Sequence, residues 1–219
     1  MRHRRAFALG VALAFISTSA RPAVDSFSTP TQGGPRARVV TVVDREATVA
    51  FRPLPDRIQV MVDRGLKGIT GKPNSRAAWL SLVSTQDVVG IKVYSAPGPN
   101  SGTRPTVAAA VARSLIAAGL PPKQIIIWDK SEADLQDAGF YALQDELGIR
   151  VQASAAAGYD PSTYYDTPLI GNLVWGDLEF GKTGEGIGRK SFVSKLVSQQ
   201  MTKIVNLTPL LNHNLAGVS

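Results

Sequence analysis

Apolar positions fall into short blocks that change in kind along the chain. Arg38-Val39-Val40-Thr41-Val42-Val43 is short and β-branched, which predicts a first strand. Between Asp56 and Ile69 the apolar residues Ile58, Met61, Val62, Leu66 and Ile69 recur at helical spacing and predict an amphipathic helix. Ser75 stands where it can cap a second, shorter helix carrying Trp79, Leu80 and Val83.

The clearest unit begins at Val88. Val88 to Val93 reads as a buried strand and Ser95 to Arg104 as a loop. Pro105 to Ala118 reads as an alanine-rich helix, with proline near its start and Gly119 as its stop. Pro121-Pro122 turns the chain into a second apolar strand, Gln124 to Asp129. Strand, helix, strand in this order is a crossover unit, and it implies parallel strands covered by helices.

Ser131 to Leu147 is helical with a break at Gly139, and Ile149 to Ala153 is a further strand. Ser154 to Thr167 carries Tyr159, Tyr164 and Tyr165 among Ala, Gly and Pro, and reads as a long surface excursion. Leu169 to Trp175 then reads as a strand, Ser191 to Gln199 as a helix and Lys203 to Leu207 as the last strand. The expected fold is one α/β domain over residues 37–219. Its sheet is mostly parallel with flanking helices, built from βαβ units into a three-layer sandwich.

Composition narrows the chemistry. The 219 residues include no cysteine, which excludes cysteine nucleophiles, cysteine zinc sites and iron–sulfur clusters ligated by this chain. The formal charge of +7 suggests nucleic acid at first sight, but Arg2, Arg4 and Arg5 lie within the first five residues. Without them 21 basic residues face 17 acidic ones, a surplus of +4 with no basic run. That is a poor footprint for phosphate backbones, so no nucleic-acid partner is expected.

Those arginines belong to an address. Residues 1–20 have a basic head, an apolar stretch from Ala6 to Ile16 and small residues at Thr18-Ser19-Ala20, the layout of a secretory signal. The stretch is too short to span a bilayer, so no stable membrane span is expected once the signal is removed. Arg4-Arg5-Ala6-Phe7 resembles a twin-arginine signal, which implies the twin-arginine export machinery as a partner and a periplasmic or otherwise exported location. An ordinary export signal with an incidental arginine pair is the alternative. Residues 21–36, rich in Pro, Gly, Ser and Thr, read as a flexible linker.

Gly176 to Thr183 fits the phosphate-loop pattern G-x-x-x-x-G-K-[ST] by letter. Asp177 and Glu179 would place carboxylates inside the cradle, and the following Gly184-Glu185-Gly186 is no helix start, so a glycine-rich surface loop is expected instead. Ser101 to Thr106 is the better anion candidate because it precedes a helix. Thr103 and Thr106 offer hydroxyls, Arg104 a planar fork, and the helix N-terminus unpaired N–H groups. The competing reading makes Thr103 a plain helix cap and leaves Arg104 in solvent.

Lys92, Asp129 and His213 each fall near the carboxyl end of an expected strand, the edge at which open parallel sheets bind ligands. Lys92 can hold an anion or pair on the surface. Asp129 can orient a base, a hydroxyl or a metal-bound water, or cap the next helix. His213 can serve as a base or a metal ligand. It is the only histidine beyond the signal, so a closed structural zinc site is not expected.

Gly90-Ile91-Lys92, Thr103-Arg104-Pro105, Ala118-Gly119, Ile125 to Asp129 and Asn212 to Ser219, taken in order, resemble the bacterial family known as domain of unknown function 362. The resemblance runs from about Val39 to Ser219. It implies export in many members and, because family sequences continue past the His-Asn-Leu-Ala-Gly-Val-Ser motif, a chain that stops short of further strands. Where many members carry lysines before the histidine, this chain has Pro209 and Leu211. A weaker similarity runs to the nickel-dependent lactate racemase group. It rests on Thr103 to Thr106, on His213 with Leu215 to Ser219, and on Lys195 as counterpart of the cofactor-linking lysine; the group's two other histidines have no counterpart.

Three functions are therefore expected to compete. The first is binding of an anionic small molecule or cofactor at the strand ends by Lys92, Thr103, Arg104 and Thr106, with Asp129 and His213 in the same cleft. The second is a metal- or cofactor-assisted reaction on a hydroxy or oxo acid, with His213 and Asp129 as catalytic groups. The third is a periplasmic interaction protein using the tyrosines between Tyr159 and Tyr165.

Overall fold

The computed structural model describes residues 38–166, 178–209, 212–213 and 217–218. The expected signal, the linker and the expected strand at 169–175 lie outside the described residues. Chain order starts with a small hairpin, β1 (Thr48–Val49) and β2 (Arg52–Pro53), followed by helices α1 (Pro55–Thr70) and α2 (Ser75–Leu80). Then come β3 (Val89–Lys92), α3 (Pro105–Ala118), β4 (Ile125–Asp129), α4 (Glu132–Asp137), α5 (Ala142–Leu147) and β5 (Arg150–Ala153). A short α6 (Ser154–Ala157), β6 (Tyr159–Asp166) and β7 (Lys190–Ser194) follow. A turn of π-helix at Leu196–Gln200 leads into β8 (Lys203–Asn206), and β9 (Asn212–His213) pairs with β10 (Gly217–Val218).

Four strands make the central sheet in the order β5-β4-β3-β8, all parallel. The chain steps outward from β3 through β4 to β5, then returns to the far side of β3 with β8. The order therefore reverses between β3 and β8.

Side-chain alternation divides the sheet into two faces. Val89, Ile91, Ile125 and Ile127 are fully buried on one face, in a core with Leu115 of α3, Leu135 of α4, Leu143 of α5 and Phe140 from the turn between α4 and α5. The alanine content of α3 has its reason here: eight of its 14 residues are buried, because α1 and α2 cover the side turned away from the sheet. A buried polar chain ties these helices, Trp79 Nε1 donating to Ser114 Oγ at 2.9 Å and Ser114 Oγ to Asp63 Oδ1 at 3.0 Å. On the other face Gly90 leaves room for Met201, whose Sδ would stand 2.2 Å from a Cβ at position 90. Helices, sheet and a third layer of helical turns with the β6–β7 ribbon form the α/β sandwich. Among the described residues no helix is long and apolar enough to cross a membrane.

Three expected elements differ. Among the described residues Arg38 to Val43 joins no strand pair; Val40 and Val42 lie against α1 at Gly68 and Gly65, while Val39 and Val43 face solvent. The β-branched run packs on a helix instead of a strand. Within the surface excursion expected from Ser154, residues 159–166 are exposed for the most part but ordered as strand, since β6 pairs antiparallel with β7 from Tyr159↔Ser194 to Asp166↔Lys190. That same pairing turns the expected helix at 191–199 into strand followed by a single π-helical turn, because Ser191-Phe192-Val193 suits a pleated ribbon once a partner is present.

Candidate functional site

Everything at the carboxyl edge is organised around Asp129, the last residue of β4 and 7% exposed. Its Oδ1 accepts from Lys92 Nζ at 2.6 Å and from the Lys130 backbone N–H at 2.8 Å. Its Oδ2 accepts from the backbone N–H and the hydroxyl of Ser95, at 2.8 and 2.6 Å. Burial works against the charged carboxylate, but the hydrogen bonds from Lys92 and Ser95 and the lysine's charge together outweigh it, holding the carboxyl below its ordinary value. With both oxygens engaged, Asp129 fixes geometry rather than collecting protons. The helix-cap role falls instead to Ser131, whose Oγ accepts from Asp134 N.

Ser95 opens the loop that carries the anion candidates. Thr103 N–H donates to Tyr94 O at 2.8 Å, and Tyr94 N–H donates to Thr103 Oγ1 at 2.9 Å, so the loop is pinched shut at its neck. Thr103 Oγ1 then donates to Leu207 O at 2.7 Å, joining the exit of β3 to the exit of β8. Thr103 is thus a buried strap and not the cap of α3; that position belongs to Arg104, whose side chain makes no cap bond. Thr103→Val keeps the shape and removes both hydroxyl bonds. Urea denaturation should show it about 2 kcal/mol less stable, and a loss below about 0.5 kcal/mol would contradict the strap.

The strap forms the floor of a cavity of about 310 Å³ at the point where the strand order reverses. Asn100, Gly102, Thr103 and Arg104 line it on one side, Leu207, Thr208 and Pro209 on the other. One guanidinium nitrogen of Arg104, Nη1, donates to Pro99 O at 2.9 Å and Asn100 Oδ1 at 3.1 Å, which positions the fork at the crevice. Thr106 is half-buried in the first turn of α3 and does not line this space.

The expected constellation is therefore split. Lys92 and Asp129 are joined to each other, whereas Lys92 lines a different cavity from Arg104. His213 pairs with Gly217 in the β9–β10 hairpin, and its side chain lies outside the described residues. Ser95 and the Leu207–Pro209 segment escaped sequence reasoning. The only signal for Ser95 was a small hydroxyl just past a strand end, and nothing local marks Leu207 as the partner of Thr103.

The phosphate-loop pattern begins outside the described residues. From Leu178 onward it runs through turns into β7 without a helix, and Glu179 Oε2 accepts from Gly188 N at 2.7 Å. Among the described residues no group of three or more His, Asp or Glu side chains gathers to hold a metal ion. Lys195 Nζ lies beside Gly158, 3.8 Å from where a Cβ would stand, and does not line the crevice.

Comparison of the chain with protein-family models, with curated proteins and with solved structures finds no match.

Proposed function

We propose that the protein binds a small anionic molecule, a free acid or the anionic end of a cofactor, in the crevice between the exits of β3 and β8. The observation that carries this reading is the coincidence of the cavity with the reversal of strand order, where Arg104 and the start of α3 share its wall. An anion there meets a planar fork and the positive end of a 14-residue helix. Asp129 and Ser95 serve it indirectly, by fixing the loop from which Arg104 projects.

The resemblance of Thr103 to Thr106 to the lactate racemase group supports a carboxylate ligand, and the motif order shared with domain of unknown function 362 supports a site at this edge. The N-terminal pattern supports export, with the twin-arginine machinery as partner and a periplasmic location.

Titration with oxalate and with inorganic phosphate, followed by thermal unfolding, tests the proposal, because a ligand of the folded state raises the midpoint. Arg104→Ala should abolish the shift, and raised salt should weaken it. A shift that survives Arg104→Ala, or no shift with either anion at about 10 mM against an affinity in the millimolar range, would refute it.

A further inference from the structure

Ahead of the hairpin, Arg38-Val39-Val40-Thr41-Val42-Val43-Asp44 lies along α1 with its side chains alternating between solvent and helix. Val40 and Val42 are half-buried, while Val39, Thr41 and Val43 are exposed, Val39 by 84% and Val43 by 74%. That is the alternation of a strand. Yet among the described residues no backbone group from Val39 to Val43 is hydrogen-bonded to another backbone group. Open strand edges are normally blunted by a charge, a proline or a bulge, and Val39 to Val43 has neither charge nor proline. We propose that this segment is a dimer interface, pairing antiparallel with the same segment of a second copy about a twofold axis at Thr41.

The sequence is its own complement in that register. Thr41 opposes Thr41, Val39 opposes Val43, Val40 opposes Val42, and Arg38 opposes Asp44 of the second copy. Arg38 is exposed and has no ion pair among the described residues, whereas Asp44 accepts from Arg57 Nη1 at 3.3 Å and would gain a second cation. Parallel pairing would set Arg38 against Arg38 and Asp44 against Asp44. Sliding the antiparallel pair by one or two residues either way sets a valine against Asp44 or Arg38. Pairing also covers the exposed valines and gives the backbone groups partners.

The interface shares no residue with the crevice at Arg104, so the two proposals fail separately. Sedimentation velocity of the full chain from about 1 to 100 µM should show a monomer–dimer equilibrium with Kd in the micromolar range. Thr41→Lys and Thr41→Glu, both on the exposed face, should each weaken the dimer about tenfold or more, since like charges then stand directly opposite. Mixing the two variants should restore a heterodimer. The chain has no cysteine, so Thr41→Cys supplies a single thiol. Diamide oxidation should link it to its counterpart, because directly opposed residues stand about 4.5–5.5 Å apart between Cα atoms, within disulfide reach. Arg45→Cys should not cross-link, its two copies standing about 27 Å apart along the ribbon. A monomer throughout that range, a dimer indifferent to Thr41→Lys, no recovery on mixing, or equal cross-linking at Arg45 and Thr41 would each overturn the assignment. So would loss of the dimer in Phe51→Ser with Thr41→Lys unaffected, which would move the interface to the hairpin tip, where Phe51 is 86% exposed.

Discussion

Asp129→Ala is expected to lower the unfolding free energy by about 3 kcal/mol, the cost of breaking a buried charged pair and leaving its partners without an acceptor. The Ser95 hydroxyl and N–H, the Lys130 N–H and Lys92 Nζ all lose the carboxylate they share, and Lys92 keeps the bond from Nζ to Val93 O at 2.6 Å and its place over the Trp128 ring. Urea denaturation at neutral pH measures the change through the midpoint at constant slope. The effect has a defined pH dependence. Because the folded-state carboxyl lies below its ordinary value, its contribution is fully present above the unfolded value of about 4 and is lost as pH falls through the folded one. The gap between wild type and variant should therefore hold steady from about pH 5 to 8 and narrow below about pH 4. A double variant with Lys92→Met should lose less than the two single losses added. A gap under about 1 kcal/mol, or one that widens on acidification, would remove Asp129 from its place as organiser of the edge.

Gly102→Ala should be the most damaging small substitution in the loop. A Cβ at this position would stand 2.2 Å from Tyr94 O and 3.2 Å from Gly98 O, both backbone atoms that cannot swing aside. Tyr94 O is also the acceptor for Thr103 N–H, so relief of the clash must open the neck of the loop and displace the strap to Leu207. A loss of about 2–3 kcal/mol is expected, the usual cost of forcing extra volume into a closed site, together with loss of the anion binding proposed at Arg104. Gly98→Ala is the control. Gly98 has φ +76 with nothing within 4 Å of its absent Cβ, so only the left-handed backbone is penalised, by about 1 kcal/mol. Equal losses for the two variants would show that the close approach at Tyr94 carries no weight.

Much of the scaffold was legible because its signals are local. Helix α3 begins at Pro105 and ends before Gly119 as its proline and glycine announce, Gly119 adopting φ +110 at the C-cap. The break near Gly139 separates α4 from α5 as expected. Strands β3 and β4 fall on their apolar runs, since a strand buried on both faces must be largely apolar, whereas β5 alternates, with Val151 and Ala153 buried and Arg150 and Gln152 half-buried. The misread segments share one cause. Whether Arg38 to Val43 or Ser191 to Gln199 forms a strand depends on what lies alongside, and neither partner is near in sequence.

The site follows the same division. Position at a strand's carboxyl end was readable for Lys92 and Asp129, and their bond confirms the shared edge. Their common membership with Arg104 in one cleft was not readable, because alternation along β3 turns Lys92 toward the Trp128 face while the loop carries Arg104 over the start of α3.

By itself the sequence determined the α/β class, the direction of the strands and the exclusion of cysteine chemistry, all consequences of residue type and short-range spacing. The tertiary structure alone decided that β8 returns beside β3, that Thr103 reaches Leu207 across 104 residues, and that two cavities lie on opposite faces where one cleft was expected. These are matters of long-range pairing, in which a strand takes the neighbour that buries it, and no local pattern names that neighbour.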